Sequence, residues 1–150
     1  MPIPTTTAPT NSGLNALGLM SGTSLDGVDA ALIRTDGTSV TAHGPSLTLP
    51  YPAELRQRLR VLLDKAPDLA PDNAELKSVE HLLTHVHVRA VQRLRQLAPD
   101  MPVDVVGFHG QTILHRPGRT WQIGDAAYLS ARTDLPVVHD FRTADVAAGG

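Results

Sequence analysis

Gly18-Leu19-Met20-Ser21-Gly22-Thr23-Ser24-Leu25-Asp26-Gly27-Val28-Asp29 decides the fold. The apolar run Leu14 to Met20 reads as a buried strand, and Val28 to Ile33 as a second one. The segment between them is too short for a helix, so the geometry is strand–turn–strand. A turn this tight brings backbone N–H groups close to an anion. Thr23 and Ser24 add hydroxyl donors, and Asp26 can hold a metal ion through water. These are the parts of a site for a phosphate tail with Mg²⁺. A plain hairpin with a polar turn has the same look, and on turn chemistry alone it is the commoner reading.

The stretch is neither of the two common Gly-rich phosphate loops. It lacks the GxxxxGK[ST] pattern, with no lysine in the turn, and it lacks GxGxxG. A hairpin that wraps phosphates is instead the device of the actin/hexokinase/Hsp70-type ATPase fold.

The chain has 150 residues, enough for one domain with a substantial core. Its net charge of -2 argues against nucleic acid or an anionic membrane as partner. It contains no apolar run of the roughly 18 residues that a membrane-spanning helix needs. Cysteine is absent, so disulfide and thiolate chemistry are excluded, which suits a cytoplasmic protein. Residues 1–13, rich in Pro and Thr, lack the basic start and apolar stretch of a secretory signal and read as a disordered tail. Aromatics make up only 3%, so aliphatics and alanine must fill the core.

Downstream, Ser39-Val40-Thr41-Ala42 and Ser46-Leu47-Thr48-Leu49 read as third-strand material broken by His43-Gly44-Pro45. Pro52 opens a short helix with Leu55, Leu59, Leu62 and Leu63 as its stripe, stopped by Pro67. Asp72-Asn73-Ala74-Glu75 starts a long helix. Its buried face is Leu76, Val79, Leu83, Val86, Ala90, Leu94 and Leu97, through about Ala98. A strand over 103–108, a possible strand over 120–123, a short helix over 125–132 and a last strand over 135–138 complete the order. This is an α/β domain with a mixed sheet and flanking helices, compatible with a ribonuclease-H-like core.

Of three polar clusters, two follow predicted strand ends, where ligands gather in open α/β sheets, and one lies on the possible strand over 120–123. His109-Gly110-Gln111-Thr112 offers the donors and acceptors a hydroxylated ligand needs, or is simply a polar strand terminus. Trp121 beside Gln122 suits the wall of a sugar ring, or ordinary core filling. Asp125 is an N-cap first and a ligand second. Arg142 suits an oxyanion or carboxylate, with Asp145 to orient it, or the two form an internal ion pair. His81, His85 and His87 read as a solvated helix face rather than a metal site, since no HExxH arrangement or third ligand is evident.

Together, residues 18–33, 107–117, 120–138 and 140–150 closely resemble the anhydro-N-acetylmuramic acid kinases, bacterial cell-wall-recycling enzymes of the actin/hexokinase/Hsp70 superfamily. The resemblance covers about 14–150. It implies a ribonuclease-H-like, actin/hexokinase-type ATPase lobe, incomplete at its C-terminus. It implies ATP and Mg²⁺ as cofactors, and water-assisted opening of the 1,6-anhydro ring with phosphorylation at O6. It implies ATP contacts at Gly22, Thr23, Ser24, Leu25, Asp26, Gly27, Val28 and Asp29, with Asp26 on Mg²⁺ through water. It also implies sugar-side contacts at His109, Gln111, Thr112, Gln122 and Arg142, a cytoplasmic location and room for a homodimer. These kinases are considerably longer. Their general-base aspartate belongs to a later motif and is expected beyond Gly150. No catalytic residue is therefore expected within the chain, and the chain alone is expected to be inactive. Thr143 and Ala144 stand where basic residues are common in the family.

Two other readings remain. One is a non-catalytic nucleotide-binding module with the same hairpin. The other is a hydrolase using Ser21 or Ser24 with His109, which lacks the GxSxG elbow.

Overall fold

A computed structural model describes residues 13–150; the expected tail, apart from Gly13, lies outside them. Leu14–Ser21 (β1) and Gly27–Thr35 (β2) form the expected antiparallel hairpin, and Val40–Pro50 (β3) extends it on the far side of β2. β3 is continuous rather than broken. Gly44 and Pro45 sit in a register shift between the pairs Ala31–Ser46 and Ile33–His43, so a bulge absorbs the residues that looked like a break.

Ala53–Lys65 (α1) begins after Pro52, and a 3₁₀ turn over Ala66–Asp68 follows. Ala74–Leu97 (α2) is capped by Asn73, whose side chain accepts from the Leu76 N–H at 3.0 Å. The cap satisfies one of the donors that a helix start leaves orphaned. Val105–Arg116 (β4) lies parallel to β1 and hairpins into Arg119–Ile123 (β5). Ala126–Thr133 (α3), capped by Asp125, leads to Val137–His139 (β6), which pairs parallel with β4. A short helix, Arg142–Ala147 (α4), follows where the sequence had suggested only a polar cluster. Gly150 folds back on it, its N–H donating to the Asp145 carbonyl at 2.8 Å.

The sheet order is β3-β2-β1-β4-β5, with β6 also on β4. An antiparallel β1–β3 meander followed by β4 and β6, both parallel to β1, fits the ribonuclease-H-like expectation, and the α/β class holds. One face carries Leu17, Leu19, Val28, Ala30, Leu32, Val106 and Phe108 into the core, against Leu59, Leu62, Leu83 and Leu94 of the helices. Strand alternation puts the other residues on the opposite face, where Leu14 and Met20 are exposed.

His87 corrects the sequence reading. It is fully buried, not solvated, and its ring meets Phe108 edge-on at 5.0 Å. Its Nδ1–H donates to the Leu83 carbonyl at 2.7 Å, which leaves Nε2 as an unpartnered lone pair. Burial pushes its pKa down to about 4. Between about pH 6.5 and pH 4 the unfolded chain therefore binds a proton that the folded chain refuses. The stability present at neutral pH is lost as pH falls through that window, by about 3 kcal/mol at pH 4. In His87→Leu, the drop in unfolding free energy between pH 7 and pH 4.5 should shrink by about 2 kcal/mol in denaturant titrations. An undiminished drop would rule out His87 as its source. His85 and His81 are more accessible and group around Tyr128, the former at 3.2 Å from its hydroxyl.

Candidate phosphate hairpin and adjoining cleft

The β1–β2 turn is anchored by residues that do not face solvent. The Leu25 N–H donates to the Gly22 carbonyl at 3.1 Å, closing a turn, and Leu25 is held at φ 59°. A left-handed leucine costs about 1–3 kcal/mol. Burial of its side chain, only 2% exposed, offsets that strain. Val28 is buried as well. Gly27 lies so close to the Leu49 carbonyl and Pro50 that a Cβ would collide with backbone. Asp29 points to the outer face and accepts from the Thr48 hydroxyl at 2.5 Å. Of the eight expected ATP contacts, the side chains of Thr23, Ser24 and Asp26 are exposed on the turn itself. Gly22 sits half-buried at its start. Leu25, Gly27 and Val28 shape it from below.

β4 departs from the expectation that the strand ends at Phe108. It runs on to Arg116, so His109, Gly110, Gln111 and Thr112 lie within the strand rather than beyond it. Phe108 pairs with Leu19, and Gln111 pairs with Ser21, leaving one extra residue in β4. Gly110, at φ 76°, forms this bulge. β4 also changes partner there, from β6 through Phe108 to β5 from Gln111. The β1–β2 turn, the bulge and the β6–α4 corner therefore share one sheet edge, at the carboxyl ends of β1 and β6.

A cleft of about 310 Å³ opens beside the bulge. Its lining includes His109, Trp121, Gln122, Gly124, His139 and Asp140. Trp121 does both jobs weighed for it, packing partly on the core and walling the cleft. Gln122 Nε2 donates to Thr112 Oγ1 at 3.1 Å and to Thr120 Oγ1 at 2.7 Å, so three polar side chains are tied together. Arg142 Nε donates to His109 Nε2 at 3.3 Å, and His109 Nδ1–H donates to the Gly110 carbonyl at 3.1 Å. Those two bonds fix the His109 tautomer. Thr143 donates to Asp140, which sits at φ 61°. The general-base aspartate expected beyond Gly150 lies outside the described residues. Of the five expected sugar contacts, His109 and Gln122 line the cleft; Thr112 and Arg142 bond to those two from outside its lining, and Gln111 lies beneath it. Gln111 is 0% exposed, and its amide is engaged below the cleft with Ser21 and the Thr112 carbonyl.

His139 and Asp140 in the cleft wall were missed. The signal was present, since both follow the last predicted strand. Nothing in the sequence signalled how α3 is held. Glu80 on α2 accepts from the Gly124 N–H at 3.0 Å, and Thr84 from the Asp125 N–H at 3.0 Å. Ser21 is buried against Tyr51 and Gln111 rather than presented to His109, which removes it as a hydrolase nucleophile.

Among the described residues, no group of three or more His, Asp or Glu is placed to hold a metal, and no helix is long and apolar enough to cross a membrane. Mg²⁺ needs no such cage when phosphates and waters complete its shell. The hard oxygen donors exposed on the turn, Thr23, Ser24 and Asp26, fit that requirement.

A sequence profile of the anhydro-N-acetylmuramic acid kinase family matches residues 14–150. The chain is 61% identical over 137 residues to the anhydro-N-acetylmuramic acid kinase of Gluconobacter oxydans, covering 90% of the chain and 38% of that relative. It is 63% identical over 139 residues to the enzyme of that name from Acidiphilium cryptum, covering 91% and 37%. Against the Bradyrhizobium diazoefficiens enzyme of that name it is 50% identical over 145 residues, covering 91% and 39%. The chain thus spans well under half the length of these relatives. With the profile, the hairpin fold and the sheet order in agreement, the chain belongs to the anhydro-N-acetylmuramic acid kinase family.

Proposed function

We propose that the chain supplies the first phosphate clamp and one wall of the sugar cleft of an ATP-dependent kinase. This kinase opens the ring of 1,6-anhydro-N-acetylmuramic acid with water and phosphorylates it at O6, giving N-acetylmuramic acid 6-phosphate. The observation that carries the reading is the shared edge. The turn with exposed Thr23, Ser24 and Asp26 and the Trp121-walled cleft adjoin the same bulge in β4. The relatives' names support the substrate and the reaction.

Phosphoryl transfer is mostly positioning and charge stabilisation. Backbone N–H groups of the turn and the Thr23 and Ser24 hydroxyls would hold phosphate oxygens, and Asp26 would hold Mg²⁺ through water. When bound, Mg²⁺ neutralises charge developing on the transferred group. On the sugar side, Gln122, Thr112 and His109 orient hydroxyls, and Arg142 holds the imidazole of His109 in place. Neither ring nitrogen of His109 is free to take a proton from water, which agrees with a general base supplied from beyond Gly150. ATP as co-substrate suits a cytoplasmic reaction.

The chain joined to the remainder that its relatives carry should transfer the γ-phosphoryl of labelled ATP to the anhydro-sugar. The chain alone should transfer none. Nucleotide binding by the assembled protein without sugar-dependent turnover would favour a non-catalytic module instead.

A further inference from the structure

Ser21, Tyr51 and Gln111 form a buried polar chain in a core built mostly from aliphatics. They are 2%, 2% and 0% exposed. The Ser21 hydroxyl donates to Gln111 Oε1. That uses its only proton, so the Tyr51 hydroxyl is the donor to Ser21 Oγ, at 2.7 Å. The Tyr51 backbone N–H donates to the Asp26 carbonyl at 3.1 Å, and Gln111 Nε2 donates to the Thr112 carbonyl at 3.0 Å. The chain therefore starts on the far leg of the phosphate turn and crosses through Tyr51 to the near leg. From there it reaches β4 just past the bulge. The side chain of that same Thr112 accepts, at Oγ1, from Gln122 Nε2 in the cleft wall.

Apolar residues would hold a hairpin on a sheet at least as well, because a buried polar group contributes little net stability even when satisfied. A fully satisfied network contributes directional geometry instead. Burial pushes the Tyr51 phenol up to about 12, so it stays a donor at neutral pH.

We infer that Ser21, Tyr51 and Gln111 are positioning residues that couple occupancy of the Gly22–Gly27 turn to the shape of the cleft between His109 and Gln122. The inference rests on the functional reading above, with phosphate on the turn and sugar in the cleft. Its direct consequence is synergy, in which each ligand raises affinity for the other.

The test is calorimetric binding of a non-hydrolysable ATP analogue with Mg²⁺, with and without the anhydro-sugar, to the chain joined to its relatives' remainder. Tyr51→Phe and Ser21→Ala should each reduce the synergy factor about fivefold or more. Affinity for either ligand alone should stay within about twofold. A merely structural role would lower the melting temperature and the folded fraction but leave synergy in the folded protein intact. Absence of synergy in the unaltered protein, or its survival in both variants, overturns the coupling alone. Failure of the unaltered protein to bind either ligand overturns the functional reading and the coupling with it.

Discussion

Asp26→Ala, made in the chain joined to the remainder its relatives carry, should lower kcat about 100-fold while the dissociation constant for the anhydro-sugar changes less than about twofold. The asymmetry follows from placement. Asp26 is exposed at the tip of the β1–β2 hairpin, and the cleft walled by Trp121 and Gln122 lies on the other side of the β4 bulge. A carboxylate reaching Mg²⁺ through water orients the ion and adds charge balance where phosphate charge changes during transfer. Losing it removes stabilisation present in the transition state and leaves ground-state sugar contacts alone, so the loss appears in kcat rather than in sugar binding.

The substitution also leaves the fold intact. The Asp26 carbonyl, which holds Tyr51, belongs to the backbone and survives truncation of the side chain. Exposed substitutions of this kind stay within about 0.5 kcal/mol of stability. The Mg²⁺ concentration giving half-maximal rate should rise in the variant, and Asp26→Asn should behave like Asp26→Ala because it keeps shape and loses charge. Sugar affinity and turnover falling together would remove Asp26 from the phosphate side.

The parts of this site that were legible are those where local chemistry and tertiary packing agree. The β1–β2 hairpin follows from two apolar runs separated by a turn too short for a helix. The α2 stripe is buried as its spacing requires from Leu76 to Leu94, while Leu97, the last residue of the expected face, is exposed in the final turn. Both start caps, Asn73 and Asp125, accept the expected N–H bonds. His87 was misplaced because residue type outweighed position. It lies four residues after Leu83 and four before Val91, on the buried stripe itself. The periodicity would have found it.

β4 was illegible for a different reason. Gly110 looks like the end of a strand, and nothing local distinguishes a terminating glycine from a bulge. Successive strand side chains alternate faces, so one inserted residue reverses which of them point inward. Without the bulge, Gln111 would share the outward face with His109. With it, Gln111 joins Val106, Phe108 and Ile113 in the buried set. An expected sugar ligand thereby became a link beneath the cleft.

That bulge makes Gly110→Ala a substitution with a large expected structural cost. Two penalties coincide there. The residue sits at φ 76°, where an L side chain is strained by about 1–2 kcal/mol. Its new Cβ would also stand 2.5 Å from the Ile123 carbonyl oxygen, a backbone atom fixed by the β4–β5 ladder. Gly118 separates the two effects. It has φ 75° and nothing within 4 Å of where a methyl group would stand, so Gly118→Ala incurs the strain alone. Gly118→Ala should therefore cost about 1 kcal/mol, and Gly110→Ala about 3 kcal/mol or more, in denaturant titrations. The larger figure corresponds to a melting temperature lower by about 10 °C. Equal costs at the two sites would show that β5 moves freely away from the bulge. In that case β5 would be too loosely held to keep Trp121 and Gln122 facing His109, and the cleft would not be preformed.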